Sequence, residues 1–168
     1  ILAVKRNVFQ PQDQGYLLEG QGDPDGDFFT RLYPMQAIQS VIRECDFIVI
    51  TLPLTTHTRH LIGAEELSVC KPTAYIINAS RGGIIDEDAL LKALDENKLA
   101  GAALDVFQQE PLPAEHPIWT QANVLATPHI AGNSRFYNQR SVALFTENLN
   151  RYLAGEPLFN VYNPEHEY

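Results

Sequence analysis

Four short blocks of this 168-residue chain hold the side chains best suited to chemistry, and each follows an apolar run. Thr51-Leu52-Pro53-Leu54-Thr55 leads to Thr58. Asn78-Ala79-Ser80-Arg81-Gly82-Gly83 follows the next run, Asp105-Val106-Phe107-Gln108-Gln109-Glu110-Pro111 the next, and Thr127-Pro128-His129-Ile130-Ala131-Gly132 the last. A guanidinium such as Arg81 is a planar cation with several donors, suited to a carboxylate or a carbonyl oxygen. An imidazole such as His129 exchanges protons near neutral pH, and a carboxylate such as Glu110 beside it would favour the charged ring and fix its orientation. Gly82 and Gly83 let the backbone turn tightly and approach a ligand. Each residue alone has an ordinary reading. Arg81 could be solvated or salt-bridged, His129 a core or capping histidine, Glu110 a turn residue before Pro111, and Asp105 a cap for the loop after it.

The elements that must position these blocks are legible as an alternation of short apolar runs and helical patterns, which predicts parallel strands joined by crossover helices. The expected strands are residues 1–4, 47–52, 74–78, 101–106 and 124–126. Phe47-Ile48-Val49-Ile50-Thr51-Leu52 is apolar on both faces, so it is expected mid-sheet with helices on either side. Asp86-Glu87-Asp88 before Ala89, Leu90, Ala93 and Leu94 supplies an N-cap, an acidic first turn and one apolar stripe, predicting a helix over about 87–96. A second helix is predicted from about Asn133 through Val142, Phe145, Leu149 and Tyr152 to the stop signal Gly155-Glu156-Pro157, with an extended tail beyond it. Residues 9–28 read as a loop whose sharpest turn signal is Asp23-Pro24-Asp25-Gly26. In open α/β sheets ligands bind outside the carboxyl ends of the strands, which is where all four blocks fall.

These blocks, in this order and spacing, resemble those of the D-isomer-specific 2-hydroxyacid dehydrogenase family, from about Tyr33 to Asn163. The resemblance implies a doubly wound, Rossmann-like parallel α/β sheet and a nicotinamide-dependent oxidoreductase acting on a small D-2-hydroxy acid and its 2-oxo partner. Arg81, Glu110 and His129 fall on the family's catalytic Arg, Glu and His. His129 would protonate the developing alkoxide, Glu110 would hold the imidazole, and Arg81 would bind the substrate's carboxylate. Asp105 is expected at the nicotinamide carboxamide, with Leu52, Pro53, Thr58, Ala79, Ser80, Arg81, His129, Ala131 and Gly132 lining the same cofactor. Lys5 and Arg6 close the first strand, where an NAD enzyme usually places an acid, so the expectation leans from NAD to NADP. Phosphoglycerate, glyoxylate and hydroxypyruvate enzymes are the nearest subclasses, and formate or phosphite enzymes share these blocks. A dinucleotide-sensing co-repressor without turnover, or a remnant that only dimerises, is compatible with the same fold.

The family's nucleotide-binding domain begins with a strand, a Gly-x-Gly-x-x-Gly turn and a helix, and no such glycine pattern occurs in these residues. Ile1 to Val4 therefore aligns with the second strand. The chain reads as an incomplete domain, residues 1–142 being part of the NAD(P)-binding unit and 143–168 a helix end and tail returning to a substrate domain. The fragment is expected to be inactive alone, and the parent a cytoplasmic homodimer. A formal net charge of −9 with scattered acids argues against nucleic acid and anionic membranes, and no apolar run approaches a membrane span. Cys45 and Cys70 lack metal-ligand spacing and read as reduced, buried thiols, so no metal is expected. His57, His60, His116 and His166 are expected at the surface, and Trp119 as a packing anchor.

Overall fold

A computed structural model of the chain describes residues 1–12, 16–18 and 20–168. The strands form two parallel groups. β1 (Leu2–Lys5) pairs with β2 (Arg31–Pro34), and β3 (Phe47–Ile50), β4 (Tyr75–Asn78), β5 (Gly101–Leu104) and β6 (Val124–Ala126) form a four-stranded sheet in that order. All pairings are parallel, with Phe47 opposite Tyr75, Tyr75 opposite Gly101 and Ala102 opposite Val124. Four of the five expected strands differ by one or two residues at one or both bounds from where the apolar runs place them, and β6 matches. β2 was not expected. Its four residues lie next to the turn-rich loop, and they read as a strand only once β1 supplies a partner.

Helices α1 (Ile38–Ile42), α2 (Ala64–Ser68) and α3 (Glu87–Asp95) are each short. The core gathers Ile42, Ile50, Leu67, Ile76, Leu90 and Leu104, each at most 5% exposed. β3 is not mid-sheet: among the described residues it is the edge of the four-stranded sheet, with Phe47 67% and Val49 62% exposed. The register explains this. Phe47, Val49, Tyr75 and Leu125 share the sheet face opposite to buried Ile50 and Ile76, and only the latter face is packed. Phe47 and Tyr75 stack on the open face at 5.9 Å, and Gly101 is obligatory beneath Tyr75, since a Cβ there would lie 2.5 Å from the Asn123 carbonyl oxygen. An apolar cleft lined by Leu2 and Val4 of β1, Val41 of α1 and Ile48 of β3 separates the two sheets.

α3 forms as its sequence dictates. The Asp86 carboxylate accepts the Ala89 N–H at 3.1 Å, Leu90, Ala93 and Leu94 are buried, and Asn97 at φ 55° closes the C-terminus while the Lys98 N–H reaches back to the Ala93 carbonyl at 2.9 Å. Replacing Asp86 by Ala should cost about 1 kcal/mol, the usual value of an N-cap. Thermal unfolding should register this as a fall of about 2–4 °C in Tm.

α4 (Tyr137–Ala154) starts four residues later than expected, after turns at 131–132 and 135–136, and ends at Gly155 in the left-handed conformation, φ 73°. Val142, Phe145, Leu149 and Tyr152 are exposed, and α4 buries none of its residues. The 142/143 division expected from the sequence falls inside this one helix. The tail is not simply extended: the Glu167 N–H bonds back to the Asn163 carbonyl at 2.8 Å, closing a turn. The Asp23 turn is present, its carboxylate accepting from the N–H groups of Gly26, Asp27 and Phe28 at 2.9–3.0 Å. No helix of the described residues is long and apolar enough to cross a membrane.

Candidate active site

Parallel strands deliver their C-terminal loops to one edge of a sheet, and the ends of β4, β5 and β6 bring together the residues singled out above. After β4, the buried Asn78 side chain shapes the turn: its Oδ1 accepts the Ser80 N–H at 3.1 Å and the Ser80 hydroxyl at 2.9 Å, and its Nδ2 donates to the Arg81 carbonyl at 3.0 Å. Ser80 is thereby a buried structural residue, while Ala79 and Arg81 are exposed. The Arg81 Nη1 donates to the Ser80 carbonyl at 2.6 Å, which steers the guanidinium and leaves its other donors available. The backbone of 60–62 clips the following residues, with His60 N–H on the Gly83 carbonyl at 2.9 Å and Ile62 N–H on that of Ile84 at 3.1 Å. Gly82 is required by close approach: a Cβ there would lie 2.0 Å from the Phe107 carbonyl carbon.

After β5, the Glu110 carboxylate folds back on its own loop. Its Oε1 accepts the Phe107 N–H at 2.9 Å, and its Oε2 lies 2.7 Å from His129 Nδ1. Partial burial pushes the Glu110 carboxyl up, but the bonds from His129 and the Phe107 N–H outweigh it and hold the group below the ordinary carboxylate range. His129 sits after β6 at φ 53°, its N–H donating to the Asp105 carbonyl at 2.8 Å, and its side chain is 49% exposed. Arg81, Glu110 and His129 line one cavity of about 360 Å³ together with Leu54, Arg59 and Gln108. A second cavity of about 760 Å³ shares the Glu110–His129 pair and is walled by Leu112, Trp119 and Pro128.

Asp105 is 5% exposed and organises the loop that carries His129. Its Oδ1 accepts from the Thr127 hydroxyl at 2.6 Å and the Ile130 N–H at 2.8 Å, and its Oδ2 from the Ala131 N–H at 2.7 Å. Burial works against the charge, yet these three donors and nearby His129 keep the carboxyl below its ordinary value. Oδ2 retains capacity for one further donor.

The other expected cofactor residues occupy varied settings. Thr58 braces its own loop, its hydroxyl donating to the Pro53 carbonyl at 2.6 Å and accepting the Thr55 N–H at 2.8 Å, with half-buried Leu52 and Pro53 beside it. Ala131 and Gly132 are exposed. The Lys5 ammonium is engaged by the Pro11 and Gln12 carbonyls, both at 3.0 Å, whereas the Arg6 guanidinium lies 5.1 Å over the Tyr168 ring.

Several residues depart from expectation. His57, His60 and His166 are exposed, but the His116 side chain is only 20% exposed, because it caps the 3-10 turn Pro117–Thr120 and faces Glu87. Trp119 is an exposed side chain tethered by Nε1 to the Pro113 carbonyl at 2.8 Å, because that turn points its ring into the larger cavity rather than the core. Cys45 and Cys70 are free thiols but half-buried, with burial and then neighbouring Cys45 pushing the Cys70 thiol up to about 11. Arg59 and Glu87 were not singled out as site residues. Arg59 directly follows Thr58, just past the first block, where a cation on a strand-end loop is a usable signal. Among the described residues no three His, Cys, Asp or Glu side chains converge as a metal-binding group.

A parallel α/β sheet with its polar side chains gathered beyond the carboxyl ends of the strands defines a Rossmann-like nucleotide-binding domain. Residues 21–131 match the family model of the D-isomer specific 2-hydroxyacid dehydrogenase, NAD binding domain, and the chain belongs to that family. It is 44% identical over 128 residues, 76% of its length, to glyoxylate/hydroxypyruvate reductase B of Pectobacterium carotovorum subsp. carotovorum, and 41% identical over 129 residues to the protein of that name from Yersinia pestis. The chain spans 40% of the length of each of these relatives. Among solved structures it is similar to a D-isomer specific 2-hydroxyacid dehydrogenase from Xanthobacter autotrophicus Py2 in complex with NADPH and MES, with TM-score 0.81 and 33% identity over 99% of this chain and 62% of that one. It is also similar to an NADPH-dependent glyoxylate/hydroxypyruvate reductase from Sinorhizobium meliloti in complex with NADP and sulfate, with TM-score 0.79 and 29% identity over 99% of this chain and 49% of that one. These relatives are enzymes by name, and the co-repressor reading finds no support among them.

Proposed function

We propose that this chain is the cofactor-facing part of an NADP(H)- or NAD(H)-dependent reductase that interconverts a small 2-oxo acid and its D-2-hydroxy acid, with glyoxylate and hydroxypyruvate the first substrates to test. The observation that carries this reading is the 2.7 Å Glu110–His129 pair sharing one cavity with Arg81. Glu110 holds Nδ1, so Nε2 is the nitrogen free to give a proton to the carbonyl oxygen as the carbonyl carbon takes up a hydride. Arg81, with Arg59 on the same wall, supplies donors for the substrate's carboxylate. A bound nicotinamide dinucleotide would supply the hydride.

The residues present fit such a cofactor at two places. Ala79, Ala131 and Gly132 are exposed at the strand ends beside the catalytic pair, with the spare acceptor of Asp105 for the carboxamide. Arg6, exposed at the end of β1, is the cation for a 2′-phosphate, and Lys5 supports its loop instead. The pyrophosphate has no glycine-rich turn in these 168 residues, so dinucleotide affinity of this chain alone should be weak. In the same reading residues 143–168 run towards a substrate domain, and the enzyme is a cytoplasmic homodimer.

The test is a spectrophotometric screen of 2-oxo acids with NADPH and NADH, using the polypeptide that carries this sequence. Oxidation of either cofactor with glyoxylate or hydroxypyruvate supports the reading, and failure with every 2-oxo acid sinks it. Arg6→Ala should raise KM for NADPH about tenfold, the scale of one charge-assisted hydrogen bond, and leave that for NADH unchanged.

A further inference from the structure

The acidic first turn of α3 contains a residue whose carboxylate contacts lie outside its own helix. Asp86 is the N-cap, and Glu87 follows it at the first helical position, where a carboxylate ordinarily sits in solvent and complements the helix dipole. The Glu87 side chain is instead 11% exposed. Its Oε1 accepts the backbone N–H of Gln108 at 2.5 Å, and its Oε2 lies 3.6 Å from His116 Nε2. Nδ1 of that ring accepts the Ile118 N–H at 3.3 Å, which leaves Nε2 as the ring nitrogen on the Glu87 side. A carboxylate is costly to bury unless specific partners repay its desolvation, and both partners here lie outside α3.

Gln108 belongs to the turn that carries Glu110. Its side chain also donates to the Ile85 carbonyl at 3.1 Å, and Gly82 passes so close that a Cβ there would lie 2.5 Å from the Gln108 nitrogen. One residue earlier, the Phe107 N–H takes Glu110 Oε1, whose other oxygen holds His129. A chain of contacts therefore runs from His116 through Glu87 to the Gln108 peptide, and from the adjoining peptide through Glu110 to His129. We propose that Glu87 is a positioning residue, anchoring the Phe107–Glu110 turn so that the Glu110 carboxylate holds the His129 imidazole. The role rests on the reductase reading for its purpose, but not for its detection.

NMR of the 15N,13C-labelled 168-residue chain tests it. In the unsubstituted protein the Gln108 amide proton should follow the titration of the Glu87 carboxyl, which burial pushes above the ordinary Glu value against the Gln108 and His116 contacts. Glu87→Leu, which fills the site without an acceptor, should speed Gln108 amide exchange about tenfold, the loss of one bond to a charged acceptor. It should also move the Glu110 titration. Glu87→Gln keeps an acceptor and should hold exchange within about threefold of the parent. Asp86→Ala weakens α3 without touching Gln108, so it should leave the Glu110 titration in place. Unchanged Gln108 exchange and Glu110 titration in Glu87→Leu would overturn the proposal. If that variant does not fold, a Gln108 amide indifferent to Glu87 titration in the parent overturns it equally. These readouts need no turnover, so a failed 2-oxo acid screen would remove the reductase reading and leave the anchoring role decided on its own evidence.

Discussion

Replacing His129 by Asn in the polypeptide that carries this sequence is expected to lower kcat for 2-oxo acid reduction by about two to four orders of magnitude, the range of a positioned general acid. Asn is chosen for the backbone. His129 sits at φ 53°, a conformation costly for most residues but tolerated by Asn, so the substitution removes the imidazole without forcing the loop to move. The Asp105 contacts to Ile130 and Ala131 should survive, because they are made by main-chain groups. Dinucleotide Kd should therefore change by less than about threefold, marking loss of an interaction made in the transition state. Glu110→Gln should give a smaller loss, because it keeps an acceptor for the Phe107 N–H while removing the charge paired with the imidazole. Steady-state kinetics beside a dinucleotide titration measures both, and wild-type turnover in His129→Asn would remove His129 from the mechanism.

What the sequence discloses of this fold is what is encoded locally. α3 was legible because its cap, stripe and stop lie within twelve residues, and β6 because three apolar residues sit between clear turn signals. The placement of Phe47 to Leu52 was not. Apolarity on both faces reports that a strand is suited to being covered, whereas its position in a sheet depends on which strands pair, and β3 pairs with β4 alone among the described residues. β2 was invisible for the same reason, its Leu32 and Tyr33 becoming strand residues through pairing with Ala3 and Val4 some thirty positions earlier.

The site shows the same division. That Arg81, Glu110 and His129 stand near one another follows from their places after parallel strands, and the family resemblance assigned their roles. The resemblance implies the pairing of Glu110 with His129, but the bond that turns the Glu110 carboxylate back to its own Phe107 N–H has no local signal. Glu87 was read as a dipole acid, since a helix start predicts that and nothing local predicts a partner 21 residues away. His116 was misplaced on the surface because the sequence shows Pro117 beside it but not Glu87 beneath it. Tertiary contacts decide the use of a polar residue wherever the local pattern already offers it a sufficient one.

Asp105→Asn should reduce the stability of this chain by roughly 3 kcal/mol, the cost of stranding a buried donor where a charged acceptor stood. The carboxylate meets three donors: the Thr127 hydroxyl, the Ile130 N–H and the Ala131 N–H. An Asn amide offers one oxygen and one NH2 group, so whichever way it turns, its NH2 faces at least one N–H. For a domain of this size that loss corresponds to a fall of about 6–12 °C in Tm. The acid limb supplies an independent check. The folded Asp105 carboxyl lies below its ordinary value, so its contribution is complete above the unfolded pKa near ~4 and is lost as pH falls through the lower folded value. Glu110, also held low, adds to the same limb. The stability difference between parent and Asp105→Asn should therefore be full at neutral pH and shrink below about pH 4, as the parent's own carboxyl protonates. Chemical denaturation at a series of pH values measures it. A difference that stays constant into acid would mean that the charge on Asp105 does not hold the loop carrying His129, and would overturn this account of the loss.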